Sequence, residues 1–394
     1  MGGVLSGIRV IEQGTFITGP CAGMMLADLG ADVIKVESPE GDPYRSYQGE
    51  HYSPHFQAYN RNKRSIAIDL KNTAEREIFN DLVKEADVFI QNFRPGTAER
   101  LGAGHEQLLA LNPRLIYGSI SGFGSSGPYA DRPSYDSVAQ ALSGFLSVVV
   151  DSSRPRFLGP ALADAITGIY AAYGVLGALV QRGRTGEGCL VEVSMLEAMA
   201  HFAVEPFAAF FALGNTPTSS DRPRLAQAYI LRTADSRLIA IHLSSLEKFW
   251  DGLVAALSAP ELASDERFSL RTARIANYEA LNVELDRRFS RHGLSHWVER
   301  LESNDVPYAP INPIDEVIHD RQVEHLGLIV PVECAQGGTQ AVRPPVQFGR
   351  ARSKSVRAAP SLNQHGAAIR DALARGERWP DLNREEDRAR LDGR

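Results

Sequence analysis

The chain has 394 residues, which is enough for two domains and a large apolar core. Its hydrophobic content of 43% and charged content of 23% are typical of globular proteins. The net charge of -6 excludes a basic surface over the whole chain, so we expect no nucleic acid and no anionic membrane as a partner. Any anionic ligand must therefore bind at a local cluster of basic residues.

The cysteines and the N-terminal stretch indicate a cellular location. Cys21, Cys189 and Cys334 are scattered and form no CxxC pair, which is typical of a reducing compartment. The opening stretch MGGVLSGIRV lacks the charged and apolar regions of a signal peptide. We also expect no apolar run long enough to cross a bilayer. These observations predict a cytoplasmic protein.

The first third of the sequence alternates between strand and helix patterns. Apolar runs predict strands in IRVIEQG, DVIKVE, RSIAIDL, DVFIQNF and LIYGSIS, with amphipathic helices between them. Such strands are typical of a parallel sheet covered on both faces, so we predict an α/β fold with a Rossmann-like, doubly wound sheet. Two long helices are expected over about 134–150 and 160–182. The strand CLVEVSM and a helix ending near Leu213 follow.

A change in composition divides the chain. Residues 214–224, GNTPTSSDRPR, are rich in glycine, proline, serine and charge, and predict a linker. Residues 1–213 then form a large domain, and residues 225–324 form a small α/β domain that begins with a hairpin, AYILRTADSRLIAIHL. The tail, residues 325–394, is rich in proline and arginine. We expect it to be irregular and to wrap back onto the large domain, which it completes.

Two motifs match the patterns of a dinucleotide site and of a metal site, but their sequence context does not favour either function. Residues 122–127, GFGSSG, match a dinucleotide fingerprint, but PYADRPSYD follows where that site needs a helix. We interpret the segment as a glycine-rich turn and expect no nicotinamide or flavin. His51 and His55 have helical metal-ligand spacing, but Pro54 opposes a helix and no carboxylate completes the set. We therefore expect no metal.

Basic residues are clustered near the ends of the predicted strands. Ligands of doubly wound sheets bind at the carboxyl ends of the strands, where fixed cations can hold phosphates through charge-assisted hydrogen bonds. Ordinary solvated surface is the alternative interpretation, and the pattern alone leaves it open. The basic residues are Lys63, Arg64, Lys71, Arg94, Arg100 and Arg132.

One carboxylate interrupts an apolar helical segment. Residues 159–179, GPALADAITGIYAAYGVLGAL, carry Asp164 as their single charge. An aspartate at the start of a helix is a favoured N-cap that stabilises the helix by about 1 kcal/mol. The functional interpretation is a nucleophile, kept ionised by the positive end of the helix and positioned by close packing of the small residues Gly168, Ala171 and Ala172.

Taken together, these stretches resemble the class III CoA-transferases, the family of the formyl-CoA:oxalate, carnitine and bile-acid CoA-transferases. The resemblance extends over residues 7 to 320, and it implies interlocked homodimers with active sites between the large domain of one chain and the small domain of the other. The segments that carry it are GPCAGMMLADLGADVIKVE, NRNKRSIAIDL, EADVFIQNFRPG, NPRLIYGSISGFG, GPYADRPSYDSVAQALSG, ADAITGIYAAYGVLGALVQRGRTGEGCLVEVSMLEA and VPYAPINPIDEV.

The resemblance places Asp164 on the family's catalytic aspartate. It implies that CoA moves from an acyl-CoA to a free carboxylic acid through an aspartyl anhydride and an aspartyl-CoA thioester. An aspartate is expected to be ionised at pH 7 without a general base. The four basic residues of the implied CoA site would meet the phosphates, and Tyr135 would lie near the acyl group. The implied CoA-binding residues are Ile17, Thr18, Leu70, Lys71, Asn92, Phe93, Arg94, Arg100, Arg132 and Tyr135.

Departures from the family pattern bear on the substrate. Ile17 and Ser38 stand where formyl-CoA transferase has glutamine and arginine, and RPRLAQAYIL replaces its glycine-rich loop. We therefore expect an acceptor acid that is bulkier or less polar than oxalate. One alternative is an enzyme similar to α-methylacyl-CoA racemase, although Tyr135 stands where racemases carry a histidine base. Another is a non-catalytic protein that binds acyl-CoA.

Overall fold

The computed structural model describes residues 3–47, 53–157, 159–244, 246–333, 339–349 and 354–379. The chain separates into two compact units. The large unit consists of residues 1–146, 157–204 and 325–394, and the small unit consists of residues 147–156 and 205–324.

Six strands of the large unit, all within the described residues, form one parallel sheet in the order β3-β2-β1-β4-β5-β6. This confirms the predicted α/β fold with a parallel sheet. The strand order reverses between β1 and β4, so their carboxyl ends lie side by side where such sheets bind ligands. The strands are β1 Arg9–Gln13, β2 Asp32–Glu37, β3 Arg64–Ala67, β4 Val88–Gln91, β5 Ile116–Ser121 and β6 Cys189–Ser194.

Helices cover both faces of this sheet because its strands are apolar on both sides. Val10 of β1 belongs to the core beneath α1 and α7, while its neighbour Ile11 belongs to the core beneath α3 and α5. The helices of this part of the chain are α1 Thr18–Asp28, α2 Pro54–Asn60, α3 Thr73–Glu85, α4 Thr97–Arg100, α5 His105–Leu111, α6 Asp136–Leu142, α7 Leu162–Thr185 and α8 Met195–Phe202.

The small unit has an antiparallel sheet and its own core. Strands β7 Ala228–Arg232 and β8 Leu238–His242 form the hairpin predicted in this segment, and β9 Tyr308–Pro310 pairs with β8. The core includes the stacked rings of Phe289 and Trp297. The remaining helices up to the tail are α9 Val204–Leu213, α10 Asp221–Ala226, α11 Glu247–Ala256, α12 Glu261–Ser264, α13 Arg271–Ala276, α14 Tyr278–Phe289, α15 Leu294–Ser303, α16 Ile314–Val317 and α17 Arg321–Leu326.

The tail is more regular than expected. Its described part contains β10 Ile329–Glu333, β11 Gln340–Val342, β12 Val356–Arg357 and α18 Gly366–Ala374, so the prediction of an irregular tail is wrong. The described part of the tail contacts β3: the Ser65 amide donates to Nδ1 of His365 at 3.1 Å. Burial lowers the pKa of His365 to about 4, which keeps this acceptor nitrogen unprotonated.

The helix predicted over about 134–150 is interrupted. Helix α6 ends at Leu142, and Gly144 then adopts a left-handed conformation with φ of +82° before a short 3₁₀ turn at Phe145–Val148. Glycine takes this conformation without the steric cost that a side chain adds. The helix expected to end near Leu213 is likewise two helices, α8 and α9, which are separated at Ala203.

Helix α7 also differs from expectation. Its 24 residues are long and apolar enough, by length and composition, to cross a bilayer, so the expectation that no run approaches that length is wrong. Helices α8 and α9 are long and apolar enough by the same criteria only when they are counted together as one segment. Core helices meet these criteria too, and α7 buries Ala171, Ala172 and Val175 in the core that contains α1 and the sheet.

The close contact of α7 with α1 gives a test of the packing. A Cβ atom at Gly168 would lie 2.6 Å from Cys21 Cβ and 2.9 Å from the Thr18 carbonyl oxygen, whereas one at Gly177 would meet nothing within 4 Å. We expect Gly168→Ala to lower the free energy of unfolding by about 1–3 kcal/mol. Gly177→Ala, in the same helix, should raise it by about 0.5–1 kcal/mol. Chemical denaturation measures both, and equal effects would contradict the described packing.

Candidate active site

The loop between β1 and α1 lies at the point where the strand order reverses. The side chain of Asn92, which directly follows β4, holds this loop: its Oδ1 accepts from the Thr15 amide at 2.9 Å. Its Nδ2 donates to the Thr15 carbonyl and to Thr18 Oγ1, both at 2.8 Å. A Cβ at Gly14 would lie 2.9 Å from Gly19 Cα, so glycine is required for this approach. The structure thus brings three predicted residues, Ile17, Thr18 and Asn92, together.

Beneath the loop lies a fully buried cluster of four charges. Glu12 contacts Lys35 Nζ at 3.3 Å and Lys63 Nζ at 2.9 Å, and Lys35 also contacts Asp42 at 3.0 Å. Burial raises the pKa of Glu12, but the two lysine charges outweigh it and hold the pKa below its ordinary value. Glu12 also accepts from the Gly14 amide at 2.6 Å. The cluster therefore fixes the start of the loop.

Asp164 lies in the first turn of α7, but it does not cap that helix. Helix α7 begins after Ala161, and its N-terminal amides are capped by another residue. The Oδ1 atom of Asp136 accepts from the amides of Ala163 at 2.7 Å and Asp164 at 3.3 Å. The capping interpretation of Asp164 is therefore wrong. The Asp164 carboxylate has no hydrogen-bond or ion-pair partner in the described part of the chain.

The surroundings of Asp164 favour its protonated form more than water does. Burial, and then the negative charge of Asp136, raise the pKa of Asp164 to about 7. These effects exceed the stabilisation that a helix N-terminus gives to an anion. The expectation of a fully ionised carboxylate at pH 7 is corrected, because a pKa of about 7 leaves about half of the molecules protonated at that pH.

A group of aromatic and apolar side chains lies close enough to this carboxylate to interact with its charge. Ile17, Cys21 and Tyr44 form a buried group, with Tyr59 and Ala161 packed against it. Burial raises the pKa of the Cys21 thiol to about 11 and that of Tyr44 to about 12, and the charge of Asp164 adds to both shifts. Cys21 is therefore a protonated thiol at pH 7.

Three residues of this environment were not predicted from the sequence. Tyr44, Tyr59 and Asp136 lie far from Asp164 along the chain, and no local motif marks them. The one available signal was the short distance in sequence from Asp136 to the predicted site residue Tyr135.

The predicted phosphate-binding residues are available for a ligand. Lys71, Arg94, Arg100 and Arg132 are exposed, and none has a carboxylate within 4 Å among the described residues. The Arg132 guanidinium lies over the ring of Tyr129, 4.4 Å from its centre. Exposed cations without carboxylate partners can form charge-assisted hydrogen bonds with a phosphate.

The other two basic residues of the sequence pattern have structural roles. Lys63 is paired with Glu12, and Arg64 is paired with Asp32. Both basic side chains are buried or nearly so, and burial lowers the pKa of Lys63 to about 8. They hold the sheet and the loop rather than a ligand.

The remaining predicted residues differ in exposure. Leu70 is buried, and the Phe93 amide donates to Gln91 Oε1 at 2.6 Å. Tyr135 is 62% exposed and directly precedes Asp136, which brings it to the N-terminus of α7. No hydrogen bond or ion pair between described residues joins Leu70, Lys71 or the predicted arginines to Asp164.

Of the two motifs that were set aside, the glycine-rich segment is described in full and the histidine pair only in part. Residues 122–127 form a turn with left-handed glycines at 124 and 127, and the next helix begins only at Asp136. His51 lies outside the described residues, as does Cys334. The ring of His55 lies beside Tyr44 and Tyr47. Among the described residues, no group of three histidine, cysteine or acidic side chains is arranged to hold a metal.

The Asp136–Asp164 pair gives a prediction about charge. Asn at position 136 would keep an acceptor oxygen for the Ala163 amide but remove the negative charge. We expect Asp136→Asn to lower the pKa of Asp164 from about 7, while burial keeps it above the value of a free aspartate. A ¹³C NMR titration of the carboxyl carbons, with Asp164→Asn for assignment, measures this. An unchanged titration midpoint would contradict the described interaction.

The chain matches the family model described as CoA-transferase family III over residues 5–366. It is 37% identical to a succinate–glutarate CoA-transferase from Agrobacterium fabrum, covering 95% of this chain and 96% of that protein. It is 33% identical to an acetyl-CoA:oxalate CoA-transferase from Acetobacter aceti, and the match covers 95% of this chain and 97% of that protein.

A solved structure gives the same result. A CAIB/BAIF family protein from Brucella suis superposes with a TM-score of 0.85 at 36% identity, covering 95% of this chain and 100% of that one. With matches of this extent in sequence and in structure, the chain belongs to CoA-transferase family III and is an acyl-CoA:carboxylate CoA-transferase.

Proposed function

We propose that Asp164 is the nucleophile that carries CoA between the donor and the acceptor acid. One observation carries the proposal: a half-buried carboxylate in the first turn of α7 that neither caps its helix nor pairs with a described cation, and whose pKa is raised to about 7. Strongly perturbed carboxylates of this kind are concentrated at functional sites. An unpaired carboxylate keeps its electron pairs available for attack on a carbonyl carbon.

The first half-reaction stores the donor on the enzyme. The Asp164 carboxylate attacks the thioester carbonyl carbon, the C–S bond breaks, and CoA thiolate leaves a mixed anhydride. The thiolate then attacks the aspartyl carbonyl carbon, the anhydride C–O bond breaks, and the donor acid leaves as its carboxylate. The product is an aspartyl-CoA thioester. Only ionised Asp164 can begin this sequence, so the rate of transfer rises with pH through about 7.

The second half-reaction runs the same steps with the acceptor. Its carboxylate attacks the aspartyl-CoA carbonyl carbon, which releases CoA thiolate and forms a second anhydride. The thiolate attacks the acceptor's carbonyl carbon, so the new acyl-CoA forms and Asp164 regains its carboxylate. No water enters and no proton is lost, because each step exchanges one acyl bond for another.

CoA is proposed to lie at the carboxyl ends of the strands. Lys71, Arg94, Arg100 and Arg132 are exposed and have no described carboxylate partners, which supports a role in binding the phosphates. Their loops follow strands of the sheet at the edge where ligands of doubly wound folds bind. The other proposed CoA-binding residues are Ile17, Thr18, Leu70, Asn92, Phe93 and Tyr135.

The acceptor is proposed to be a short dicarboxylic acid with methylene carbons between its carboxylates. The two relatives named above act, by their names, on succinate and glutarate or on oxalate. Ile17 contributes an apolar side chain, 94% buried, to the group packed beside Asp164. A methylene chain can pack on such a surface, whereas oxalate has no methylene carbon. This supports an acid larger and less polar than oxalate.

The active form is proposed to be a homodimer. Helix α9 has no buried residue although it is almost entirely apolar, and Phe211 and Leu213 are 77% and 72% exposed. An apolar surface of this kind is typical of a protein interface. A second copy of the chain is the partner that the family resemblance implies.

The alternatives lack support at specific positions. Racemisation needs two bases, and Tyr135 stands where the racemase pattern has its histidine. A protein that only binds acyl-CoA has no use for an unpaired carboxylate, because that group destabilises the fold when it is ionised.

Covalent trapping tests the nucleophile. On incubation with a donor acyl-CoA and hydroxylamine, the wild-type protein should form a hydroxamate on the peptide containing Asp164, located by mass spectrometry. Asp164→Asn should lower the transfer rate by several orders of magnitude with little change in CoA affinity. Asp315→Asn, at an exposed first-turn position of α16, is the control and should retain activity. An active Asp164→Asn protein would exclude this mechanism.

Binding of CoA tests the phosphate site. Arg100→Ala removes a guanidinium that can form a charge-assisted contact of about 1.5–3 kcal/mol, so we expect CoA to bind about tenfold or more weakly by calorimetry. The loss should be larger at low salt than at high salt. Arg287→Ala, whose guanidinium is paired with Glu284 in the small unit, is the control. Equal affinities of the wild-type and Arg100→Ala proteins would place the phosphates elsewhere.

A further inference from the structure

Phe16 adopts a backbone conformation that bulky residues rarely take. Its φ angle is +59°, in the left-handed region, and it lies in the loop between β1 and α1 directly before Ile17. Such strain persists only when the surrounding structure holds it, and it is concentrated at functional sites. A glycine would be free of this strain, so the ring of Phe16 provides something that glycine cannot.

Asp42 holds Phe16 in this conformation. Its Oδ1 atom accepts from the Phe16 amide at 3.1 Å and from the Tyr44 amide at 2.9 Å. Its Oδ2 atom contacts Lys35 at 3.0 Å, and Lys35 in turn donates to the Gly14 carbonyl at 2.8 Å. Asp42 is 3% exposed. One buried carboxylate therefore joins the loop that carries Phe16 to the loop that carries Tyr44.

The ring of Phe16 contacts aromatic residues on two sides. Its centre lies 5.7 Å from the ring of Tyr44 and 6.3 Å from the ring of Tyr135, the latter edge-on. Phe16 also packs on the buried group of Ile17, Cys21 and Tyr44, as does Ala161, the residue just before α7. Tyr135 directly precedes Asp136, which caps α7. The three rings thus form a wall beside the turn that carries Asp164.

We propose that Phe16, positioned by Asp42, determines which acyl groups react at Asp164. The inference rests on the proposed role of Asp164. The ring packs on the carbons next to the thioester, accepts an unbranched methylene chain and leaves no room for a branch at the α carbon. A hydrophobic pocket discriminates a single added methyl group by about 10–200-fold in kcat/KM. The predicted substrate class is therefore straight-chain acyl-CoA.

The test compares butyryl-CoA with isobutyryl-CoA as donors to glutarate. In the wild-type protein we expect kcat/KM to be about tenfold or more higher for butyryl-CoA. Phe16→Ala should bring the two values to within about twofold, chiefly by raising the value for the branched donor, and Phe16→Leu should be intermediate. Phe249→Ala removes a partly buried ring of the small unit and should keep the wild-type ratio. A wild-type protein without discrimination, or a Phe16→Ala ratio equal to the wild-type ratio, would overturn the proposal.

The role of Asp42 has its own pair of variants. Asp42→Asn removes one of the four buried charges and should lower stability, but it keeps an acceptor for the Phe16 amide. The ratio compares two donors on the same protein, so Asp42→Asn should keep the wild-type ratio, whereas Asp42→Ala should lose discrimination as Phe16→Ala does. If Asp42→Ala does not fold, Phe16→Gly takes its place, because glycine adopts the left-handed conformation without strain. Phe16→Gly should lose discrimination while remaining folded, and a wild-type ratio in this variant would overturn the proposal.

Hydroxylamine trapping separates this inference from the proposed function. A wild-type protein that forms no hydroxamate on the Asp164 peptide would refute the nucleophile, and the inference about Phe16 with it. A protein that forms the hydroxamate but shows equal donor ratios in the wild-type and Phe16→Ala forms would refute the role of Phe16 alone.

Discussion

The edge of the sheet at the carboxyl ends of its strands depends on the ion pairs and hydrogen bonds of the Glu12 carboxylate. This carboxylate contacts Lys35 of β2 and Lys63 just before β3, and it accepts from the Gly14 amide after β1. Buried ion pairs contribute little net stability, but removing one partner leaves an uncompensated charge and costs about 3–5 kcal/mol. Two carboxylates and two ammonium groups balance here, since Asp42 contacts Lys35. The β1–α1 loop is therefore held in place by a cluster in which two negative and two positive charges compensate each other.

Two carboxylates of the large unit, the buried Glu12 and the half-buried Asp164, have opposite environments. Two lysines surround Glu12 and hold its pKa low, whereas Asp164 has a second carboxylate nearby and its pKa is raised to about 7. The lysines around Glu12 help to fix the backbone at Gly14, whereas Asp164 has no described cation beside it that would lower its pKa. Because the pKa of Asp164 is raised in the folded protein, ionisation of this carboxylate lowers the free energy of unfolding. Gly168, one turn further along α7, is in close contact with Cys21 and Thr18 of α1.

The strands β1 to β5 could be predicted because they carry apolar residues on both faces, and a sheet buried on both faces produces that pattern. Over its first five residues, strand β6 alternates between half-buried and exposed positions instead. Asp164 could be singled out because a charge in an apolar helix is conspicuous, but its protonation could not, since it depends on Asp136. Contacts between distant residues, such as Asp42 with Phe16, leave no local signature. The break at Gly144 was missed because a glycine inside an apolar helical pattern does not by itself indicate a left-handed turn.

The packing of the tail on the first part of the sheet has a consequence for biosynthesis. The hydrogen bond between Ser65 and His365 joins residues 300 positions apart, and the Trp379 indole donates to Asp32 at 2.8 Å. At a synthesis rate of about 5–20 residues per second, roughly 15–60 s pass between the synthesis of Ser65 in β3 and that of His365. During that time β3, the end strand in the sheet order, lacks the covering that protects sheet edges from pairing with other chains. The nascent chain therefore exposes this end of the sheet until residues 365–379 have been synthesised.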